Sequence, residues 1–124
     1  MIKLKNLKSD FQFRKLLSQK KIHTNYFSVY FGKNFVNKKN NKLNISFVMK
    51  KKVGNAVVRN KIRRRLRSAI QQKLQNNKLI DIKYTYIIFG KTKAFNEKYS
   101  IISNELDKTF FRINKINKNN NEVH

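Results

Sequence analysis

The sequence predicts an α+β fold, a small two-layer sandwich in which helices pack against one sheet. Three observations carry that prediction. Residues 26–31, 43–49 and 84–89 (YFSVYF, LNISFVM and YTYIIF) are short aromatic and β-branched runs, the composition of strands. In 55–75, and again in 95–113, apolar residues return every three to five positions, as on one face of a helix. A short amphipathic stretch precedes the first strand, so the order is helix, strands, helix, strand, helix.

Taken in order, Ser9 or Asp10 can cap a first helix that runs to about Ser18, with Phe13, Leu16 and Leu17 on one side. In 26–31, alternation puts Phe27, Val29 and Phe31 on the core face and Tyr26, Ser28 and Tyr30 on the other. Residues 32–42 (GKNFVNKKNNK) read as a loop that joins two strands in a long hairpin. The strand at 84–89 is apolar on both faces, which places it in the middle of the sheet. Phe95, Tyr99, Ile102, Leu106, Phe110 and Ile113 mark a last helix, with Asn96 as candidate cap. Residues 1–113 form one domain, and the Asn- and Lys-rich residues 114–124 are expected to be a disordered basic tail.

Thirty Lys and Arg against six Asp and Glu give a formal charge of +24. Self-repulsion at that level is best tolerated beside a polyanion, and nucleic acid is the leading candidate. Cysteine is absent and the histidines are His23 and His124, which excludes disulfides and leaves no ligand set for structural zinc. No apolar run is long enough to span a bilayer, and the N-terminus lacks a signal-peptide core, so a cytoplasmic protein is expected.

The charge is concentrated in residues 50–67, KKKVGNAVVRNKIRRRLR, where nine of eighteen positions are Lys or Arg and none is acidic. Val58, Ile62, Leu66, Ala69 and Leu74 form an apolar stripe. At about 100° per residue, Arg59, Asn60, Arg63, Arg64 and Arg67 fall on a neighbouring face, with Lys61 and Arg65 on the other side. Gly54 and Asn55 supply a turn and an N-cap. Lys50, Lys51 and Lys52 then crowd the positive end of the helix dipole, an arrangement that favours a bound anion such as phosphate. The alternative is a solvated basic face, but such a face usually mixes signs for i,i+4 support.

This segment closely resembles the signature of the protein component of bacterial ribonuclease P. Ten positions match: Lys51, Lys52, Gly54, Ala56, Val57, Arg59, Asn60, Arg63, Arg64 and Arg67. With length and flanking pattern, the resemblance covers roughly residues 5 to 113. It implies an αβββαβα order and a mixed four-stranded sheet of the ribosomal S5 domain 2-like type. It also implies a short strand near 21–24 and a left-handed crossover through the basic helix. The function implied is an accessory subunit whose RNA partner cleaves precursor tRNA to give the mature 5′ end, with Mg²⁺ bound mainly by that RNA.

In the resembled family, aromatics of the first helix wall a cleft for the single-stranded 5′ leader. Phe13 takes the first such position, although on spacing alone it reads as a core residue. Leu17 takes the second, where an aromatic is usual. Tyr30 matches the cleft tyrosine; by itself it would either stack on a base or cover the sheet. Lys51 and Lys52 are assigned to phosphate near the helix start. Arg59, Asn60, Arg63, Arg64 and Arg67 are shared between leader and catalytic RNA. No membrane and no obligate protein partner are implied.

The residues do not assemble a catalytic centre. Asp10, Asp81, Glu97, Glu105, Asp107 and Glu122 are scattered, and Glu105 and Asp107, two apart on a helix, face away from each other. Neither a two-metal site nor a triad can be built from them. A ribosomal protein or general RNA chaperone shares these electrostatics and stays open as an alternative. A cationic membrane-surface protein fits less well, since the stripe suits a sheet and Trp is absent.

Overall fold

A computed structural model describes residues 3–5, 10–17, 19–33, 42–76 and 79–122. The strands are β1 (Lys3–Lys5), β2 (Lys20–His23), β3 (Phe27–Lys33), β4 (Lys42–Val48) and β5 (Tyr84–Gly90). The helices are α1 (Asp10–Leu17), α2 (Ala56–Asn76) and α3 (Tyr99–Glu122). The sheet order is β1-β4-β5-β3-β2. β5 pairs parallel with β4 and antiparallel with β3, so the sheet is mixed and β5 is central. Its two apolar faces require this position: Tyr84 to Ile88 are all buried.

Two sequence expectations are corrected here. The sheet has five strands, because Lys3–Lys5 pairs parallel with Lys42, Leu43 and Asn44 at the edge of β4. β3 and β4 do not form a hairpin either; they flank β5 on opposite sides. The strand with two apolar faces takes the centre and separates them. Residues 34–41, most of the expected loop, lie outside the described residues.

One face of the sheet is covered by α2 and α3. Ile62, Leu66, Ala69 and Ile70 of α2 and Ile102, Leu106, Phe110 and Ile113 of α3 meet Phe27, Val29, Phe31, Ile45, Tyr86 and Ile88 in one core. Tyr86 and Phe110 pack edge to face at 5.1 Å. The Tyr86 hydroxyl donates to Asp81 O at 2.7 Å, and burial pushes its pKa far up. Lys73 is buried on the same stripe, where its Nζ meets Asp107 Oδ1 at 2.9 Å and Ser103 Oγ at 2.8 Å. α1 lies on the opposite face, where Phe13 packs against Phe89.

α3 differs from expectation at both ends. A 3-10 turn at Thr92–Ala94 buries Ala94, and the helix starts at Tyr99 with Ile101 N and Ile102 N donating to Lys98 O, so Asn96 is not its cap. At the other end it continues through residues placed in a disordered tail. Asn114 Nδ2 donates to Leu79 O at 2.6 Å, Ile116 packs on the core and Asn117 is buried. The apolar period carries on through 113 and 116, inside a composition that reads as polar.

α2 approaches β5 at Gly90. A Cβ there would stand 2.7 Å from Ile62 Cγ2 and closer still to Met49 Sδ. Gly90→Ala is therefore expected to destabilise the fold by about 1–3 kcal/mol, the usual cost of overpacking. A lowered urea midpoint with an unchanged m-value checks this, and an unchanged midpoint contradicts it.

Candidate nucleic-acid interface

The entry to α2 is built by local geometry. After β4, Met49 turns into the core, and residues Lys51–Val53 form a 3-10 turn anchored by buried Val53. Val53 O accepts from Thr92 Oγ1 at 3.1 Å, which ties the turn to the end of β5. Gly54 follows at φ 158°, ψ −174°, with a Cβ position only 2.7 Å from Val58 Cγ1, so a side chain there would lift the chain off the helix. Asn55 caps α2 as predicted: its Oδ1 accepts from Val58 N at 3.0 Å. The first turn of α2 has no acidic residue, while Lys50, Lys51 and Lys52 stand exposed just before it.

Along α2 the two flanks have different fates. Asn60, Arg64 and Arg67 are exposed, and Arg59 and Arg63 are half-buried beside them. Arg63 Nη1 donates to Asn60 Oδ1 at 2.8 Å, which aligns two members of this face. Arg59 Nε is enclosed and has no hydrogen-bond partner among the described residues. The other flank is spent internally. Arg65 donates to Phe95 O at 2.7 Å and also to Glu97 O, and Lys61 Nζ sits 4.3 Å from the Phe95 ring centroid. Glu97 in turn accepts from Lys98 N and Tyr26 Oη, which hold its carboxyl below the ordinary range.

The second part of the site is a cleft of about 450 Å³ on the sheet face away from the core. Tyr30 and Phe89 meet edge to face at 5.4 Å, and Phe13 reaches Phe89 from α1 at 6.5 Å. Lys50 Nζ lies 5.4 Å from the Phe89 centroid and Lys21 Nζ 5.9 Å from that of Tyr30. Lys52 and Lys91 complete the cationic rim. Thus Tyr30 and Lys52 border one concavity with Phe89, and Phe13 touches Phe89 from α1 without lining the cleft itself. Lys51 faces solvent in the turn, and Leu17 is exposed at the end of α1 without supplying a ring.

Phe89 is the residue that sequence reasoning missed. It ends a run that is apolar on both faces, so alternation did not separate it from the core. The usable signal was its parity: with Tyr86 and Ile88 inward, Phe89 must face the same side as Tyr30. Aromatic faces bordered by ammonium groups and a row of guanidiniums suit a single-stranded nucleic acid, with bases on the rings and phosphates on the cations. Among the described residues, no group of three or more His, Cys, Asp or Glu could hold a metal ion. No helix among them is long and apolar enough to cross a membrane.

Comparison with known proteins bears on the fold and the family of the chain. The sequence model of the family described as Ribonuclease P matches residues 1–114. The chain is 32% identical over 112 residues to the ribonuclease P protein component of Mesoplasma florum, covering 90% of this chain and 96% of that protein. It is 39% identical over 95 residues to that of Citrifermentans bemidjiense, covering 77% and 75%. Among solved structures, the RNase P protein from Thermotoga maritima shares the fold with TM-score 0.71 at 20% identity, over 87% of this chain and 96% of that one. The Staphylococcus aureus RNase P protein does so with TM-score 0.68 at 23% identity, over 89% and 94%.

If the cleft floor stacks bases, Phe89→Ala should weaken binding of a short single-stranded RNA by about 1–3 kcal/mol, with little dependence on its sequence. Fluorescence anisotropy with two oligonucleotides of different composition measures this. Unaltered affinity for both would take Phe89 out of the site.

Proposed function

Since the chain belongs to the Ribonuclease P protein family, we propose that it is the protein subunit of a ribonucleoprotein that removes the 5′ leader of precursor tRNA. In this reading the cleft receives the leader. Phe13, Tyr30 and Phe89 offer ring faces, and Lys50 and Lys52 meet its phosphates. Arg59, Asn60, Arg63, Arg64 and Arg67, with Lys51 at the helix entry, are shared between the leader and the catalytic RNA. Leu17 borders the leader as an apolar wall.

The observation that carries the reading is the adjacency of these two surfaces. The turn that brings Lys52 to the cleft is the same turn that opens the Arg-bearing helix. One strand of RNA can therefore pass from ring stacking to phosphate contact without leaving the protein. The chain's contribution is to hold and orient RNA. Phosphodiester hydrolysis is assigned to the RNA partner, which would also carry most of the Mg²⁺; the described residues offer no cluster suited to a resident ion. The cytoplasm is the expected place of action.

Two measurements test this. Reconstitution with a bacterial ribonuclease P RNA and precursor tRNA should raise cleavage at low Mg²⁺, whereas a ribosomal protein or general chaperone would bind without stimulating. Cleavage by the polypeptide alone would contradict the division of labour. Separately, Arg64→Ala should make the slope of log K against log salt for leader RNA shallower by about 0.7 if it neutralises one phosphate. An unchanged slope removes Arg64 from the contact set.

A further inference from the structure

α3 carries a cationic face that the leader cleft and the α2 arginines do not use. Ile101, Asn104, Lys108, Phe111, Arg112 and Lys115 fall within an arc of about 100° on its outer side, and all six are exposed. Phe111 is 54% exposed and Ile101 38%. The Lys115 ammonium stands 4.7 Å from the Phe111 ring centroid, so cation and ring are presented together. Two acids of this helix stand off the arc: Asp107 binds Lys73 at 2.9 Å, and Glu105 is half-buried at its border, next to Ile101 and Arg112. A face that only had to stay soluble gains nothing by exposing an aromatic ring in its middle.

This face is separate from the interface on α2. α3 lies along the flank of α2 that carries Ser68 and Gln72, where Tyr99 Oη is 3.3 Å from Ser68 Oγ and donates to Gln72 Oε1 at 3.2 Å. By helical geometry Arg59, Arg63 and Arg67 project from the opposite flank of α2. A strand lying on those arginines therefore leaves the outer side of α3 open.

Resting on the ribonucleoprotein reading above, we propose that the outer face of α3 is a second RNA-binding surface. Lys108, Arg112 and Lys115 take phosphates of a structured RNA, and the Phe111 ring takes an unpaired base or a ribose edge. Charge selects this occupant. None of the six residues is acidic, and a second copy docked through the same patch would oppose like charges across a self-complementary interface. A polyanion instead gains at each contact.

The test compares the unaltered chain with Phe111→Ala and with a triple Lys108→Gln, Arg112→Gln, Lys115→Gln variant, all on the outer surface. Binding to a bacterial ribonuclease P RNA and to a short single-stranded RNA is followed against salt. With the large RNA, the triple variant should show a slope shallower by about 2–3, and Phe111→Ala about a tenfold loss of affinity. The short strand should bind all three proteins alike. Unchanged slope and affinity on the large RNA would overturn the proposal, as would equal losses on both RNAs, which would indicate only a general field. Self-association abolished by Phe111→Ala would assign the face to a second copy and also overturn it. If the slope change is present but the unaltered chain fails to stimulate cleavage, the α3 surface stands and the functional reading falls.

Discussion

The seating of α2 on the sheet is the constraint from which the rest of the molecule follows. Ile62, Leu66 and Ile70 are fully buried, and each such side chain contributes about 1.5–3 kcal/mol relative to exposure. Like charges at i,i+4, such as Arg59 with Arg63 and Arg63 with Arg67, oppose the helix by only about 0.2–0.5 kcal/mol a pair. Burial wins by a wide margin, so the helix can carry an uncompensated cationic flank. The same seat fixes rotation about the helix axis. Gly90 sets how near Ile62 comes to β5, and that contact decides which flank points outward.

Once rotation is fixed, residues of one charge type separate into two roles. Arg65, Lys61, Lys73 and Lys91 are engaged by the protein itself, through carbonyls, a ring and a carboxylate. They hold the segment 91–98 and α3 against α2 and the end of β2. Arg64 and Arg67 are exposed. Sequence identity does not distinguish Arg64 from Arg65. Their angular position does, since one residue's step of about 100° moves a guanidinium from solvent to the Phe95 carbonyl.

This explains what was legible beforehand. The stripe on α2, the Asn55 cap and the central place of β5 follow from local period and composition, and Tyr30 opposite Phe27, Val29 and Phe31 follows from alternation. What escaped was set by non-local pairing or masked by composition. β1 has three residues, two of them Lys, and exists because the edge of β4 accepts it. The insertion of β5 between β3 and β4 is a matter of tertiary pairing, which no segment encodes alone. Lys73 sits in an apolar stripe where a cation is unexpected, and only Asp107 and Ser103, thirty or more residues later, make it tolerable. Phe89 shared its run with core residues, and residues 114–119 hid a continuing helix under Asn and Lys.

The few acids show how such a basic chain keeps its surfaces attractive to a polyanion. Asp81 Oδ1 accepts from Lys83 N, Asp107 pairs with Lys73, and Glu97 binds Tyr26 and Lys98 N. Each serves packing on the α3 side of α2 or at the turn before β5. None of these three bonds an arginine of the α2 face or a lysine of the cleft rim. At physiological salt a charge is felt over about 8 Å, so a carboxylate on the ridge would cancel the cation beside it. Keeping these three acids with the interior lysine and the turns leaves the outward cations of the α2 face and the cleft rim to act together. The repulsion among those cations destabilises the free protein and is relieved when RNA binds, so part of the binding free energy originates in the unbound fold.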